Sequence, residues 1–232
     1  MYDNYFSVSA SVDEWIKIWI PYFNLQMQYK LCHIDDTFLK EAYAYSHGIR
    51  ILHQDPFEML ISYIISQQKS IPQITKTIEQ ICQKYGKAIV TEYETVYTFP
   101  TIDTFKQISL SDLDEFKLGY RNKYVFDAIQ QVNNTICLDV LATMKDELLF
   151  KTLKQIKGVG DKVASCVCLF GYNRLSFVPK DVWIKRVITE YFNGENKFLD
   201  YKECAGLLQQ YAYYYIRNMY IKHYRLINTL LK

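Results

Sequence analysis

The stretch Leu153-Lys154-Gln155-Ile156-Lys157-Gly158-Val159-Gly160-Asp161-Lys162-Val163-Ala164 has the pattern of two helices joined by a turn with two glycines. Glycine lets the backbone turn with positive φ and approach a ligand closely. The N–H groups after the turn lie at a helix N-terminus, whose partial positive charge favours an anion such as phosphate. The pattern predicts a helix–hairpin–helix that contacts backbone phosphate through Gly158 and Gly160. An ordinary αα-hairpin with glycine at its turn is the alternative.

Helix-capping signals occur on both sides of this stretch. Asp55-Pro56-Phe57-Glu58 combines an acidic N-cap with Pro at the first helical position, and Asp181 opens a later helix. Ser11-Val12-Asp13-Glu14 is a capping box, and Gly86 ends a helix that begins at Pro72. With the apolar spacing, these signals predict helices at 15–22, 56–65, 72–86, 102–109, 111–117, 122–132, 145–156, 161–171, 181–192 and 200–232. A break is predicted at 67–70 and a loop at 173–180.

No segment has the pattern of a strand, and eight Gly and five Pro are few for an all-β protein with many turns. The predicted fold class is all-α, either one continuous bundle or two helical lobes with a cleft between them. Residues 1–232 are expected to form a single unit. Its approximate lobes are 1–55 plus 172–232, and 56–171.

Composition excludes several classes of protein. Hydrophobic residues make up 50% and charged residues 22% of the 232 residues, which argues against a mainly disordered chain. The longest stretch without Asp, Glu, Lys or Arg is 204–216, too short to span a bilayer. The first four residues show neither a basic region nor an apolar run, so no secretory signal is visible. We expect a cytoplasmic protein, nucleoid-associated if bacterial, that makes no membrane contact.

Positive charge is concentrated between Lys151 and Glu190. This segment holds eight Lys or Arg and three acidic residues, so it carries +5 while the rest of the chain sums to −3. Such a distribution is typical of a phosphate-binding face and equally of a solvated helix face. Charge alone leaves both interpretations open.

The six cysteines are scattered through apolar sequence, at positions 32, 82, 137, 166, 168 and 204. None forms a C-x2-C pair, and nothing resembles the ligand set of a zinc or iron–sulfur site. We expect free, mostly buried thiols and no metal centre.

Four motifs, in the order and with the gaps expected of that family, resemble the helix–hairpin–helix DNA glycosylase superfamily, HhH-GPD. They are Gly48–Glu58 (GIRILHQDPFE), Leu118–Tyr124 (LGYRNKY), Gly158–Cys166 (GVGDKVASC) and Val178–Trp183 (VPKDVW). The resemblance covers about residues 48–225 and is greatest to the 8-oxoguanine DNA glycosylase/lyase branch. It implies base excision repair of damaged double-stranded DNA, in which the enzyme flips a nucleotide into a pocket.

The resemblance implies that Lys162 is the catalytic lysine and Asp181 the invariant aspartate of the superfamily. A neutral amine at Lys162 would attack C1′ of the flipped nucleoside, expel the base and leave a Schiff base. β-Elimination would then cut the strand, which is AP lyase chemistry. The carboxylate of Asp181 would stabilise the oxocarbenium-like transition state and orient the lysine. Taken singly, Lys162 is equally typical of a solvated helix surface and Asp181 of a simple N-cap.

Five further positions match residues that contact DNA around the lesion. Gln68 matches the residue that fills the gap left by the flipped base. Tyr120 matches the wedge, and Arg121 the residue that contacts the estranged partner base. Lys185 and Arg186 would reach phosphate. Loop solvation, core packing of Tyr120 and an ordinary helix surface are the alternatives.

Four positions match the pocket that receives the base. Cys166 matches a cysteine that stacks on the oxidised base, although a buried core thiol is the alternative. On the pocket-lining helix, Tyr220 replaces a stacking phenylalanine and keeps its π face. Ile216 replaces a glutamine that hydrogen-bonds the base edge, and this loss weakens discrimination between bases. Trp183 stands where some relatives carry a phosphate-contacting histidine.

The N-terminal region departs from the branch, whose β-rich domain precedes the matched part. Only 47 residues precede Gly48, and they have a helical pattern, so this domain is expected to be absent. In the branch it supplies a backbone carbonyl that distinguishes 8-oxoguanine from guanine at N7. The string Ser66-Gln67-Gln68 is also as similar to the alkylpurine branch as to the oxoguanine branch.

Three functions follow from these observations. The leading hypothesis is a glycosylase with AP lyase activity that removes an oxidised purine, 8-oxoguanine first, through Lys162. The alternatives are a monofunctional alkylpurine glycosylase of the 3-methyladenine type, which uses Asp181 with water, and a non-catalytic DNA-binding module. We expect a monomer without redox or organic cofactor. A monovalent cation could bridge the hairpin carbonyls at 156–160 and a DNA phosphate.

Overall fold

The computed structural model describes residues 7–29 and 33–230, with side chains described up to residue 221, and most of this range is helical. The α-helices are α1 (Val12–Glu14), α2 (Ile20–Tyr22), α3 (Thr37–Ser46), α4 (Pro56–Ser66), α5 (Ile71–Tyr85), α6 (Ile102–Phe105), α7 (Arg121–Asn134), α8 (Leu138–Ala142), α9 (Asp146–Leu153), α10 (Asp161–Cys166), α11 (Val182–Glu190) and α12 (Ala205–Leu230). Trp15–Trp19 and Val167–Gly171 are π-helical, and Ser111–Phe116 and Lys197–Cys204 are 3-10 helices. The predicted all-α fold class is confirmed.

Local capping explains where several helices begin and end. Asp55 Oδ1 accepts a hydrogen bond of 2.9 Å from the Glu58 N–H at the start of α4, as its motif predicts. Ser11 and Glu14 form the predicted capping box, and α5 ends at Gly86. The starts of these helices are predictable from the sequence, because the capping groups are only three residues apart.

A small β-hairpin contradicts the expectation that no strand is present. β1 (Ala88–Val90) pairs antiparallel with β2 (Thr95–Tyr97), with Ala88 opposite Tyr97. All residues of both strands are exposed, so no alternation of buried and exposed positions arises. Three-residue strands of this kind carry too little periodicity to be predicted from sequence.

Two hydrophobic cores organise the described chain. The first core takes its buried residues from Phe57 to Tyr172, the part of the chain that contains helices α4 to α10 and the segments between them. The second core takes its buried residues from 34–51, from Leu169 and from 178–216. The chain passes from one core to the other in the π-helical turn at 167–171, since Val167 and Cys168 pack in the first core and Leu169 in the second.

The helix–hairpin–helix joins α9 to α10 through a turn that needs its first glycine. Gly158 has φ of 88°, and a Cβ placed there would lie 2.5 Å from Cγ of Tyr124. Gly160 is the N-cap of α10, has φ of −90°, and would carry a Cβ into open space. The two glycines therefore meet different demands: Gly158 permits the turn, and Gly160 leaves the helix start uncovered.

The described thiols are free, as expected. Cys166, Cys168 and Cys204 are buried, Cys82 is half-buried and Cys137 is exposed, while Cys32 lies outside the described residues. Across the described part of the chain, no helix combines the length and apolar character that crossing a membrane requires.

Substitution of Gly158 by Ala should destabilise the protein by about 2–4 kcal/mol, because Ala is strained at positive φ and its Cβ meets the Tyr124 ring. Urea unfolding followed by circular dichroism measures this loss. Gly160→Ala is the matched control, and its free energy of unfolding should stay within about 1 kcal/mol of the wild type. Equal losses in the two variants would contradict this account of the hairpin.

Candidate active site

Residues from both cores meet where α10 approaches the start of α11. Lys162 and Cys166 lie one turn apart on α10, and the Lys162 Nζ lies 4.9 Å from the centroid of the Tyr63 ring on α4. Asp181 approaches from the second core, and although burial raises the pKa of its carboxyl, the charge of Lys162 is near enough to oppose that rise. The structure thus brings together the two residues that the sequence predicts to be catalytic.

Asp181 is held in place as the N-cap of α11. Its Oδ1 accepts a hydrogen bond of 2.9 Å from the Ile184 N–H. Burial raises the pKa of Asp181 above its ordinary value of 3.8, and the Ile184 N–H and the Lys162 charge oppose this rise. The result is a half-buried carboxylate whose position is fixed by the helix and whose charge is partly compensated by the lysine.

Cys166 and Tyr63 form the inner wall beside the lysine. Burial raises the pKa of the Cys166 thiol to about 11, so the thiol is protonated at neutral pH. Burial and the neighbouring Cys166 raise the pKa of Tyr63 well above its ordinary value. Cys166 exposes only 2% of its surface, so a base could stack on it only after Tyr63 or Lys162 moves. Its contact with the base stays a prediction.

Two aromatic rings packed against the second core, those of Trp183 on α11 and Tyr220 on α12, lie next to each other. The Trp183 ring meets the Tyr220 ring edge-on, with centroids 5.4 Å apart. The Arg186 guanidinium lies 4.4 Å from the Tyr220 ring centroid and pairs with Glu190 at 3.2 Å. Arg186 is thereby engaged within the protein, whereas Lys185 is exposed on the same helix.

Ile216 does not reach the surface of the site. Its side chain is 0% exposed and belongs to the second core. Ile216 shares this buried cluster with Leu207 and Ala212 on α12. Contact between Ile216 and a base would require the second core to open, and it stays a prediction.

A polar network ties three loops into one edge. The Arg121 guanidinium donates from Nε to the Gln67 carbonyl at 2.7 Å, again from Nη2 to the same oxygen, and from Nη1 to the Leu118 carbonyl at 3.1 Å. Gln67 Nε2 in turn donates to the Gly158 carbonyl at 3.0 Å. The break after α4, the turn before α7 and the glycine hairpin are thereby joined.

Two predicted DNA-contacting side chains project from this edge, and a third does not. Gln68 is exposed, with φ of 52°, and Tyr120 is 48% exposed. Arg121 is only 8% exposed and uses its donors on backbone carbonyls. The structure thus assigns it to support of the edge, and contact with an estranged base would require these bonds to break.

The hairpin carbonyls, which are the expected ligands of a monovalent cation, already accept hydrogen bonds within the protein. The carbonyls of Ile156, Gly158 and Gly160 accept hydrogen bonds from the Val159 N–H, the Gln67 side chain and the Ala164 N–H respectively. Each carbonyl oxygen has a second lone pair, so a cation remains compatible with the geometry. The cation stays a prediction.

A basic cavity of about 560 Å³ adjoins the other side of Lys162. Its lining includes Lys162, Lys180 and Lys185, one acidic residue, Asp161, and Ser165. Three cations against one carboxylate favour an anionic occupant. Among the residues that the structure describes, no cluster of three or more His, Cys, Asp or Glu side chains could hold a metal ion.

Sequence reasoning missed Tyr63 and Gln67. Tyr63 lies in the apolar run of α4 and resembles a core residue, although its hydroxyl distinguishes it from the aliphatic residues around it. The resemblance points to Gln68 and not to Gln67, because the sequence does not reveal which of two adjacent glutamines faces the hairpin. Only the contact with Gly158 separates them.

Two family models match this chain. The model of the HhH-GPD superfamily of base excision DNA repair proteins matches residues 61–211. The model of the 8-oxoguanine DNA glycosylase N-terminal domain matches residues 1–60. The expectation that this domain is absent is therefore wrong, and the resemblance includes the residues before Gly48. The described residues of that region, 7–29 and 33–60, are helical where structured and contain no strand.

Individual relatives agree with the family match. The chain is 32% identical over 186 residues to an N-glycosylase/DNA lyase of Saccharomyces cerevisiae, with 72% of this chain and 49% of that protein covered. A probable N-glycosylase/DNA lyase of Methanothermobacter thermautotrophicus is 28% identical over 213 residues, with 79% of this chain and 68% of that protein covered. The chain thus spans about half the length of the yeast protein.

A solved structure shares most of the fold. The 8-oxoguanine glycosylase/lyase of Clostridium acetobutylicum, in complex with double-stranded DNA containing cytosine opposite 8-oxoguanine, superposes with a TM-score of 0.83 at 31% identity. The superposition covers 90% of this chain and 77% of the Clostridium chain. With two cores, a glycine hairpin and the Lys162–Asp181 pair at their junction, the chain belongs to the HhH-GPD superfamily of base excision DNA repair proteins.

Proposed function

We propose that this chain is a DNA glycosylase with AP lyase activity that removes an oxidised purine, 8-oxoguanine first, from duplex DNA. The observation that carries this proposal is the convergence of the Lys162 amine and the Asp181 carboxylate at the junction of the two cores. A phosphate-binding module needs neither group in that position. The DNA lyase relatives and the DNA-bound Clostridium structure support the same reaction class.

In the proposed reaction, Lys162 is the nucleophile. Its ammonium first gives a proton to solvent, and the neutral amine then forms a bond from Nζ to C1′ while the glycosidic bond breaks, so that the bonding electrons leave with the base. The new ammonium loses a proton and the departing base gains one, so charge is balanced. Opening of the sugar ring then leaves a Schiff base, from which β-elimination expels the 3′ phosphate.

Asp181 stabilises the positive charge that develops on the sugar ring as the base departs. The carboxylate is already fixed by the Ile184 N–H, so little reorganisation is required during the reaction. A half-buried carboxylate acts on a nearby cation more strongly than an exposed one, because less water screens the charges.

The partner we propose is damaged double-stranded DNA, bound by one copy of the chain in the cytoplasm. Phosphates would be received by the uncovered start of α10 after Gly160 and by Lys185. Tyr120 would serve as the wedge, and Gln68 would fill the gap in the duplex. No redox or organic cofactor enters the proposed reaction.

A monofunctional alkylpurine glycosylase is the second candidate, favoured by the burial of Ile216. A pocket without a polar residue at that position is less suited to reading a base edge. In this case Asp181 would act with water and no covalent adduct would form. A non-catalytic binding module would neither release a base nor form an adduct.

Substitution of Lys162 by Gln should abolish the covalent protein–DNA adduct that borohydride traps, because the amide cannot form a Schiff base. We expect base release from an 8-oxoguanine duplex to fall at least about 100-fold. Lys40→Gln, at an exposed position on α3, is the control and should retain adduct formation. An undiminished adduct in Lys162→Gln would remove this residue from the mechanism.

Substitution of Asp181 by Asn should lower base release by about 100- to 1000-fold, since the charge beside the sugar is lost. Asn caps a helix as well as Asp does, so α11 should remain intact. Because burial raises the pKa of Asp181, ionisation of this group opposes folding at neutral pH. The free energy of unfolding should therefore be unchanged or higher in Asp181→Asn. A large loss of stability would show that the carboxylate serves mainly to hold the fold.

The contribution of Asp181 to base release should depend on pH. Only the carboxylate form stabilises positive charge, so the ratio of the wild-type rate to the Asp181→Asn rate should fall as the pH decreases through the pKa of this group. The ratio cancels the need for a neutral Lys162 amine, which both proteins share. Burial places the pKa of Asp181 above 3.8, so the fall should lie at higher pH than the titration of an exposed aspartate. Single-turnover excision measured against pH for both proteins tests this, and a ratio that is constant down to about pH 4 would contradict it.

A further inference from the structure

The basic cavity of about 560 Å³ is separate from the wall that Tyr63 and Cys166 form, since neither of these residues lines it. Its lining includes, from α10, the segment before α11, and α11 itself, Asp161, Lys162, Ser165, Lys180, Lys185 and Thr189. Lys162 therefore borders both the site of the proposed chemistry and this cavity. The reaction described above gives the cavity no role.

Positive charge is in excess around the cavity. Among the residues that the structure describes, neither Lys180 nor Lys185 forms an ion pair. Asp161 is already paired from outside the cavity, since Lys154 Nζ lies 2.5 Å from its Oδ1. Lys154, and to a lesser degree Lys180, hold the pKa of Asp161 below its ordinary value, so this carboxylate is ionised at neutral pH. Three lysines against one carboxylate favour a ligand with two negative charges.

Uncharged polar groups add to the lining. Ser165 is only 9% exposed, and its hydroxyl forms no hydrogen bond within the described part of the chain. A hydroxyl can donate to an oxygen of an anion. Asn196 also lines the cavity, and its Oδ1 is buried without a partner among the described residues, so it can accept from a water that hydrates the ligand. A charged, hydrated group therefore fits this lining better than an apolar ring.

The proposed reaction produces a dianion beside Lys162. In the β-elimination, the C2′ proton passes to water and a double bond forms between C2′ and C3′. The C3′–O bond breaks, and its electron pair stays on the phosphate oxygen. A phosphodiester with one negative charge thereby becomes a 5′-phosphate monoester, which carries a charge of about −1.5 to −2 at pH 7. The sugar is still bonded to Lys162 Nζ at this stage, so the phosphate is released next to a residue that lines the cavity.

We propose that the cavity between α10 and α11 binds the 5′-phosphate end that strand cleavage creates, with Lys180 and Lys185 as its cations and Ser165 as a neutral donor. The proposal rests on the AP lyase function above. An intact phosphodiester is less suited to the cavity, because it carries one charge and is held in the DNA backbone by two ester bonds. Binding of the new end keeps the cleaved strand on the protein, so it slows release of the product.

The test compares two duplexes with a gap of one nucleotide, whose downstream end carries either a 5′-phosphate or a 5′-hydroxyl. We expect the wild type to bind the phosphorylated duplex about 10-fold more tightly, and Lys180→Gln to reduce this preference to about 2-fold. The ratio of the two dissociation constants removes the general loss of positive charge, which weakens both complexes. Ser165→Ala should reduce the preference in the same direction, because the neutral donor is lost.

Lys151→Gln is the matched control, since Lys151 is an exposed lysine on α9 that does not line the cavity. It should keep the wild-type preference. Equal affinities of the wild type for the two duplexes, or an undiminished preference in Lys180→Gln, would overturn the proposal. An uncleaved duplex with a stable abasic analogue contains only phosphodiesters. If Lys180→Gln weakens binding of this duplex as much as that of the phosphorylated one, the cavity binds the intact backbone and the proposal is wrong.

Borohydride trapping on the same wild-type preparation distinguishes this proposal from the proposed function. An adduct without a preference for the 5′-phosphate would overturn the role of the cavity and leave the AP lyase function standing. A preference without an adduct would overturn the AP lyase function and, with it, the reaction that we propose as the source of the ligand.

Discussion

The electrostatic balance around one half-buried carboxylate governs the site. Asp181 is drawn out of water at the junction of two cores, which raises its pKa, while the Ile184 N–H and the charge of Lys162 favour its ionised form. The same contact that begins α11 therefore also holds the charge in position. Because the cap is a local requirement of the helix, the carboxylate cannot swing toward solvent without leaving the N-terminus of α11 unsatisfied. Lys162 reaches it from the other core, and so the relative placement of the cores determines the chemistry.

The edge that would meet DNA is built differently, from hydrogen bonds between loops. Arg121 and Gln67 connect the break after α4, the turn before α7 and the glycine hairpin, although none of these segments has regular structure of its own. A buried guanidinium that donates to two carbonyls is stable only if those bonds are made, because its charge would otherwise be poorly solvated. The exposed side chains Gln68 and Tyr120 are therefore presented from a stiff base rather than from mobile loops.

The sequence predicts those parts of the structure that depend on neighbours along the chain. The caps at Asp55 and Asp181 act over three residues, and the spacing of the hairpin glycines is recognisable in the sequence alone. The parts that it misses depend on distant contacts. The strands β1 and β2 are short and exposed, and the roles of Tyr63 and Gln67 follow only from packing against α10 and the hairpin. The family resemblance points to Arg121 and Ile216, but the sequence does not show that their side chains are buried. That burial depends on the second core and on the loop network.

The π-helical turn at Val167–Gly171 links the unfolding of the two cores. Its residues pack in both cores, so this turn cannot open while either core stays closed. The amide protons of this turn should therefore exchange only when both cores open, through the global opening reaction rather than a local one. Damage to either core should be transmitted through this turn as a loss of protection in both.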